Sequence, residues 1–429
     1  MSHVVFVDST GPALAALETA RDMGHSVTFV FPSKNSLLTV AGVPRERLDA
    51  AFAYADEVVE IGDLESELVG ALRKIQARQP IDALLTTSEP AVLPTVAAAE
   101  ALGIRATSVT SMLTAVNKDV CRDALRDAGI PSARHARVAT LQEAVDALHA
   151  FGLPLVVKPS RSAGKEGVAI IRSEAELAEY FEALPTAKQE RHQALDTWIS
   201  SQLVVEEFVQ GVLYSAEIIA NGGDLEIFMF ARREQATHNP LVEVAAVLPA
   251  GLTDAEQQAV DAYMRAVFAE LGLTVGVYHV EFIMGPDGPV LVEVNGRMMG
   301  GMAPFVYRHI TGDDVFRLLV SEHLGERPRI VRPPFGAAGI SIALGSITGG
   351  TLPAGVERRI EELKSAYQPL AHSLNLRGGQ HIPRQLGNYT VFGFCCLAAA
   401  TPEEARSRGL ELLADLEDAF EFELAKYAL

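Results

Sequence analysis

The chain has 429 residues, 48% of them hydrophobic and 21% charged, the balance of a soluble globular protein too long for one ordinary core. A formal net charge of -19 weighs against non-specific binding to nucleic acid or to an anionic membrane, while leaving room for local basic sites. The three cysteines, Cys121, Cys395 and Cys396, have neither Cys-x-x-Cys nor zinc-type spacing and fit a reduced, cytoplasmic setting, and the longest uncharged apolar run, VFGFCCLAAA (391–400), is too short to span a bilayer.

Residues 3–8 read as a buried strand, 11–24 as a helix and 26–31 as a second strand, with no basic segment ahead of them of the kind a signal peptide needs. A helix near 65–78, a strand at 81–87 and a helix near 91–102 continue the alternation, which predicts an open parallel α/β domain over residues 1–110. One helix is expected over 111–129, a strand at 134–138, a helix at 141–152 and an apolar strand at 153–160. Strands and helices then mix to about 330, and the Pro-rich RPRIVRPPFG (327–336) reads as a linker to a last α+β region, 331–429. Thr401, Pro402 and Glu404 mark the start of a closing helix through a capping box. The first turn, DSTGPAL, carries one glycine where a dinucleotide site needs G-x-G-x-x-G, so a nicotinamide or flavin site is disfavoured there.

The segment LVEVNGRMMGG (291–301) raises the chemical question. Glu293, Asn295 and Arg297 alternate with apolar residues and share one face of a strand. Upstream lies VGVYHVEFIM (275–284). A three-residue loop, Pro286 to Gly288, pairs Gly285 with Pro289 and sets Glu281 opposite Glu293. Opposed carboxylates repel, and a divalent cation between them removes the conflict. Asn295 adds a third oxygen, a set that suits magnesium, which completes its shell with water and phosphate. Arg297 is then placed to meet a phosphate or a developing oxyanion.

LVVKPSRSAGKEGV (155–168) supplies a nucleotide-binding candidate. Lys158 ends an apolar strand, where an unpaired ammonium is costly. The small-residue loop after it, with Ser162, Ala163 and Gly164, lets backbone N–H groups approach anionic oxygens, although it is not a Walker A loop. LVVEEFVQG (203–211) offers Glu206, Glu207, Phe208 and Val209 for an adenine edge, and Lys118 is a weaker candidate on a helix.

Taken together, Lys118, Lys158 with its loop, VEEFVQG, Glu281 and EVNGRMMGG follow the order and rough spacing of the ATP-grasp enzymes, and the chain resembles in particular the dipeptide-forming carboxylate–amine ligases of the bacilysin-synthetase type. The resemblance covers about residues 1–400 and is most specific at 281–297. It implies a Rossmann-like first domain, an ATP-grasp domain over 111–330 with a lid at about 135–205, and a C-terminal lobe over 331–429. It further implies that Lys118 and Lys158 contact ATP phosphates beneath the 160–167 loop, and that Glu206 with the main chain through Val209 holds adenine. Glu281, Glu293 and Asn295 would bind Mg2+, or Mn2+ in its place, and Arg297 would sit at the reacting acyl group. Relatives often carry a ribose-binding Glu where this chain has Leu213, so the ribose contact must come from elsewhere, with Glu217 the candidate.

The implied activity is ATP-dependent joining of two amino acids, or of an amino acid and a related amine, through an acyl phosphate. Arg232, Arg233 and His238 are candidates for holding a substrate carboxylate. Gly300 and Gly301 leave room beside Arg297, and Met298, Met299 and Met302 suggest an adaptable wall or plain core packing. A carboxylase that activates bicarbonate, a non-catalytic nucleotide binder and a dinucleotide oxidoreductase are the competing readings. A homodimer would be the commonest assembly.

Overall fold

The first strand, β1 (His3–Val7), is buried along its whole length, as five consecutive apolar or ring-bearing residues require. It is the second-from-edge strand of a parallel sheet with β2 (Ser26–Pro32), β3 (Glu57–Ile61) and β4 (Ala83–Leu85), in the order β3-β2-β1-β4. The helix Leu64–Arg78 covers one face of this sheet, burying Leu68, Leu72 and Ile75 against Val5, Val30 and Leu84. The computed structural model describes residues 1–34, 36–40, 43–162, 164–190, 198–385, 387–388 and 390–429.

A second, antiparallel sheet of β5 (His135–Val138), β6 (Leu155–Pro159), β7 (Ala169–Ile171) and β8 (Leu203–Glu207) runs in the order β5-β8-β6-β7. Its own small core joins Val138, Leu155, Val157 and Val205 to the helix Leu141–Phe151, which starts at a Thr140–Glu143 capping box.

The largest sheet begins with β9 (Val212–Asn221), β10 (Asp224–Gln235), β11 (Glu243–Leu248), β12 (Val275–Gly285) and β13 (Gly288–Asn295). The strands after residue 331 are β14 (Ala338–Leu344), β15 (Gly350–Thr351), β16 (Ala371–His372), β17 (His381–Ile382) and β18 (Gly393–Ala399). They do not form a separate core sheet: β14 pairs with β11, and the order is β13-β12-β9-β10-β11-β14-β18-β16, with β15 and β17 paired apart. The expected C-terminal lobe therefore shares the central sheet.

Alternation along β12 separates the two faces of that sheet. Tyr278, Val280 and Phe282 point to a core closed by the helix Asp254–Leu271, where Phe268 meets the Tyr278 ring edge-on at 5.1 Å. His279 and Glu281 point the other way, toward the N-terminal sheet and the small sheet. Further along, that second face becomes apolar, and Val277, Met229 and Ala246 pack there with Met298, Met299, Met302 and the N-terminal residues Leu14 and Leu17. The three methionines are thus interdomain core and form no substrate wall. No helix among the described residues is long and apolar enough to cross a membrane.

Candidate active site

The hairpin of β12 and β13 sets Glu281 opposite Glu293 and His279 opposite Asn295. The route to that register differs from the expected one. The turn is two residues long, since Gly285 pairs with Gly288, and the one-residue deficit is restored by a bulge that leaves Val292 unpaired between Leu291 and Glu293. The bulged carbonyl is held at 2.7 Å by the buried Arg122 guanidinium. A single-residue slip would have turned Glu293 to the opposite face, so Arg122 helps to fix the chemistry as well as the fold.

Each carboxylate has a lysine. Glu281 Oε2 lies 2.8 Å from Lys165 Nζ, and Glu293 Oε2 lies 3.1 Å from Lys118 Nζ. Burial alone would raise both carboxyls, but Lys165 with His279 takes Glu281 well below the usual carboxylate range, and Lys118 lowers Glu293. His279 is itself clamped, with Nδ1 2.7 Å from Glu217 Oε1 and Nε2 3.5 Å from Glu281 Oε1. Burial opposes its charge, yet Glu217 brings it up to about 9, so an imidazolium orients Glu281 from behind. Glu217 is only 1% exposed and is committed to this contact. The expectation that it meets a ribose is not met.

Lys118 sits where it does because the helix expected over 111–129 is two helices, Val109–Val116 and Lys118–Asp127, broken at the extended Asn117. The Lys118 N–H donates to the Ser160 carbonyl at 2.8 Å, which ties the second helix to the loop after β6. That loop bends through left-handed positions at Gly164, Lys165 and Gly167, and a Cβ at Gly167 would stand 2.9 Å from the Pro159 ring. Ala163 lies outside the described residues.

Between this loop, β8 and the hairpin is a cavity of about 140 Å³. Its lining combines apolar residues, among them Val156, Ile170, Phe208, Val209, Leu213 and Ile283, with polar and charged ones, among them Lys118, Lys158, Ser162, Lys165 and Glu293. Lys158 Nζ is 2.6 Å from Glu206 Oε2, and Arg122 Nε stands 3.3 Å from Glu206 Oε1, an ion pair without hydrogen-bond alignment. Burial pushes the Lys158 ammonium down to about 8 against the pull of Glu206. Glu206 is therefore occupied with two cations, and Glu207 with Arg134 at 2.6 Å, which leaves the main chain of 207–209 as the remaining polar edge of this stretch in the cavity wall.

β13 ends at Asn295, and Arg297 lies beyond it instead of continuing the strand row. Its Nε meets Glu89 Oε2 at 2.7 Å, a buried carboxylate on the turn after β4 of the N-terminal sheet. Burial raises the Glu89 carboxyl despite Arg297, and Glu293, Lys118 and His279 are close enough to act on it. A Cβ on Gly300 would lie 3.8 Å from Arg297 NH1; Gly301, at φ 59°, faces the Phe394 ring and the Ser341 hydroxyl. Both neighbours of Gly301 come from β18 and β14, so the C-terminal strands pack against the glycine turn that follows Arg297.

The arginine expectation is corrected by strand parity. Arg232 points to the opposite face, 2.8 Å from Glu234, which Arg406 of the closing helix also binds. Arg233 is on the site face and grips Glu243, whose Oε1 lies 3.1 Å from Lys165 Nζ. His238 is exposed on the loop after β10, apart from these bonds. Glu89, Lys165, Glu243 and Arg122 were missed in the sequence; a lone acid in an apolar strand and a lysine in a small-residue loop were the available signals.

Glu281, Glu293 and Asn295 present a hard, oxygen-only donor set, and Asn295 Nδ2 is the atom used toward the His279 carbonyl and Glu293, at 3.2 and 3.5 Å. Among the described residues no group of three His, Cys, Asp or Glu side chains forms a metal site on its own. Two carboxylates and an amide fit an ion that draws its remaining ligands from water and phosphate, as magnesium does. Lys165 shows that a cation is already accommodated there.

Residues 151–304 match the ATP-grasp domain family, and residues 17–104 match the ATP-grasp N-terminal domain family. Over 210 residues the chain is 34% identical to protein y4rH of Sinorhizobium fredii, spanning 48% of this chain and 41% of that one. Over 268 residues it is 27% identical to the alanine–anticapsin ligase of Bacillus subtilis, spanning 60% of this chain and 57% of the ligase. The matched stretch thus spans about half the length of these curated relatives. The whole chain also superimposes on an L-amino acid ligase from Bacillus licheniformis with a TM-score of 0.77 and 20% identity, covering 100% of this chain and 99% of the other, a likeness of fold.

Proposed function

The chain belongs to the ATP-grasp superfamily, and from that premise we propose that it is an ATP-dependent carboxylate–amine ligase joining two L-amino acids, or an amino acid and a related amine. The observation that carries this reading is the pairing of Glu281 with Glu293, the second of which lines, with Lys118, Lys158 and Lys165, a cavity that also has apolar walls. The names of the alanine–anticapsin ligase and the L-amino acid ligase agree with it.

The adenine ring lies between Val156, Ile170 and Leu213, with its edge on the main chain of 207–209. Lys118 and Lys158 meet the phosphates, and Glu206 holds Lys158 in place. Magnesium, when bound by Glu281, Glu293 and Asn295, supplies charge neutralisation of the triphosphate. A substrate carboxylate attacks the γ-phosphorus, ADP leaves, and the acyl phosphate is then attacked by an amine with loss of phosphate. Arg297, oriented by Glu89, stabilises the oxyanion that develops in the second step. The β5-β8-β6-β7 sheet and its loop keep water from the acyl phosphate. Catalysis rests on positioning and charge, with no protein nucleophile.

The test is an ADP-release screen with ATP, magnesium and pairs of amino acids, followed by mass spectrometry for the condensed product. ADP formation that depends on an amino-acid pair is the expected result. AMP formation, or turnover with bicarbonate alone, would overturn the assignment.

A further inference from the structure

The loop after β6 places a lysine in the cation position. Lys165 is a non-glycine residue at φ 64°, a left-handed conformation that L side chains rarely adopt. Its ammonium is drawn inward, 2.8 Å from Glu281 Oε2 and 3.1 Å from Glu243 Oε1, with the side chain 17% exposed. The charge of Glu293 acts on it as well, so two carboxylates hold the ammonium and a third attracts it. The loop is fastened in this position from the other side. The Gly164 carbonyl accepts the Asn388 N–H at 3.1 Å, and the Asn388 side-chain oxygen accepts the Glu243 N–H at 3.1 Å.

The charge balance explains why a lysine is useful here. Glu281 and Glu293 face each other in a buried hairpin, and without a cation between them the pair would destabilise the site. Lys118 neutralises one, and Lys165 neutralises the other. A divalent ion arriving with a triphosphate needs the same Glu281 oxygen. It carries twice the charge, so it displaces the ammonium. The displaced lysine lines the same cavity as Lys118 and Lys158, where incoming phosphates would supply new anionic partners.

We propose that Lys165 is an internal stand-in for the divalent cation: it holds Glu281 and Glu243 while the nucleotide is absent, and moves to the triphosphate when the ion takes its place. This rests on the metal site of the proposed function and adds a coupling to it. Since the ammonium must be displaced for the ion to bind, the ion binds weakly alone and tightly with nucleotide, and by linkage the nucleotide gains by the same factor.

Mn2+ titration of the nucleotide-free protein, followed by electron paramagnetic resonance, tests this directly. Lys165→Met should bind Mn2+ about tenfold more tightly than the wild type, because an internal competitor is gone. The gain should vanish in Lys165→Met combined with Glu281→Gln. Lys165→Gln serves the same comparison if the Met variant does not fold. In the wild type, amine acetylation at Lys165 should accelerate when Mn2+ is added without nucleotide. Equal Mn2+ affinities in wild type and variants, or acetylation indifferent to Mn2+, would overturn the proposal. The ligase reading fails separately, in the ADP-release assay.

Discussion

Glu206→Gln removes one charge and almost no volume from the lining of the cavity between β8, the hairpin and the loop after β6. The carboxylate lies 2.6 Å from Lys158, and at an effective dielectric constant near 20 that separation corresponds to an attraction of about 6 kcal/mol. The glutamine oxygen retains a hydrogen bond, so about half is lost, or about two pKa units on Lys158. The lysine starts at about 8, below the ordinary 10.5, because it is buried. In the variant it should titrate near about 6 and be mostly neutral at about pH 7.5. The alkaline limb of kcat/KM for ATP, which reports the free enzyme, should move from near pH 8 to near about pH 6. Stability follows the same group. A lysine lowered in the native state binds fewer protons there than in the unfolded chain between about 8 and 10.5, so stability rises with pH across that window. Leaving Lys158 and Arg122 with one anion fewer should cost about 3–5 kcal/mol near neutrality, on the order of 10 °C in Tm. The deficit should narrow as the pH is raised. Coupled ADP release across pH and a melting series measure both; an alkaline limb that stays in place in Glu206→Gln would refute the reasoning.

Three further outcomes are expected. Glu293→Gln should lower turnover at least about 100-fold with the circular dichroism spectrum unchanged, since a direct donor to the ion matters more than its supports. Arg297→Ala should lower kcat by about 100- to 1000-fold while the Kd for ATP stays within about threefold, as measured by nucleotide titration. Arg233→Met should raise KM for an amino-acid substrate by at least about tenfold, whereas Arg232→Met should leave kcat/KM within about twofold; steady-state kinetics on the pair separates the two faces of β10.

The pairing of Glu281 with Glu293 was legible because a side-chain period of two and a pair of like charges leave few acceptable registers. Its details were not. The expected three-residue turn and the observed two-residue turn with a bulge at Val292 give the same pairing of Glu281 with Glu293, and only coordinates distinguish them. The choice between Arg232 and Arg233 depends on register shifts within β10, between Ile227 and Met229 and between Glu234 and Gln235, which displace the pattern without marking the sequence. Asn117 was readable in principle as a break between two helices, but the apolar spacing around it continues without interruption. Glu89, Lys165 and Glu243 were missed for another reason: their roles come from partners 208, 116 and 78 positions away, and a lone acid or a loop lysine does not say which distant group it will meet.

The continuity of β13 through β16 in one sheet has a mechanical result. The hairpin that carries Glu281 and Glu293 and the strands that carry Ser341 and Phe394 belong to one hydrogen-bonded sheet, so the contacts of Gly301 are tied to the hairpin. On the proposed function, different acids or amines would be accommodated by exchanging side chains of β14 and β18 near Gly301, with the Glu281–Glu293 hairpin left unchanged. A chain built this way is suited to diversification by point substitution, because a misfit substrate costs occupancy without disturbing the alignment of the reacting groups.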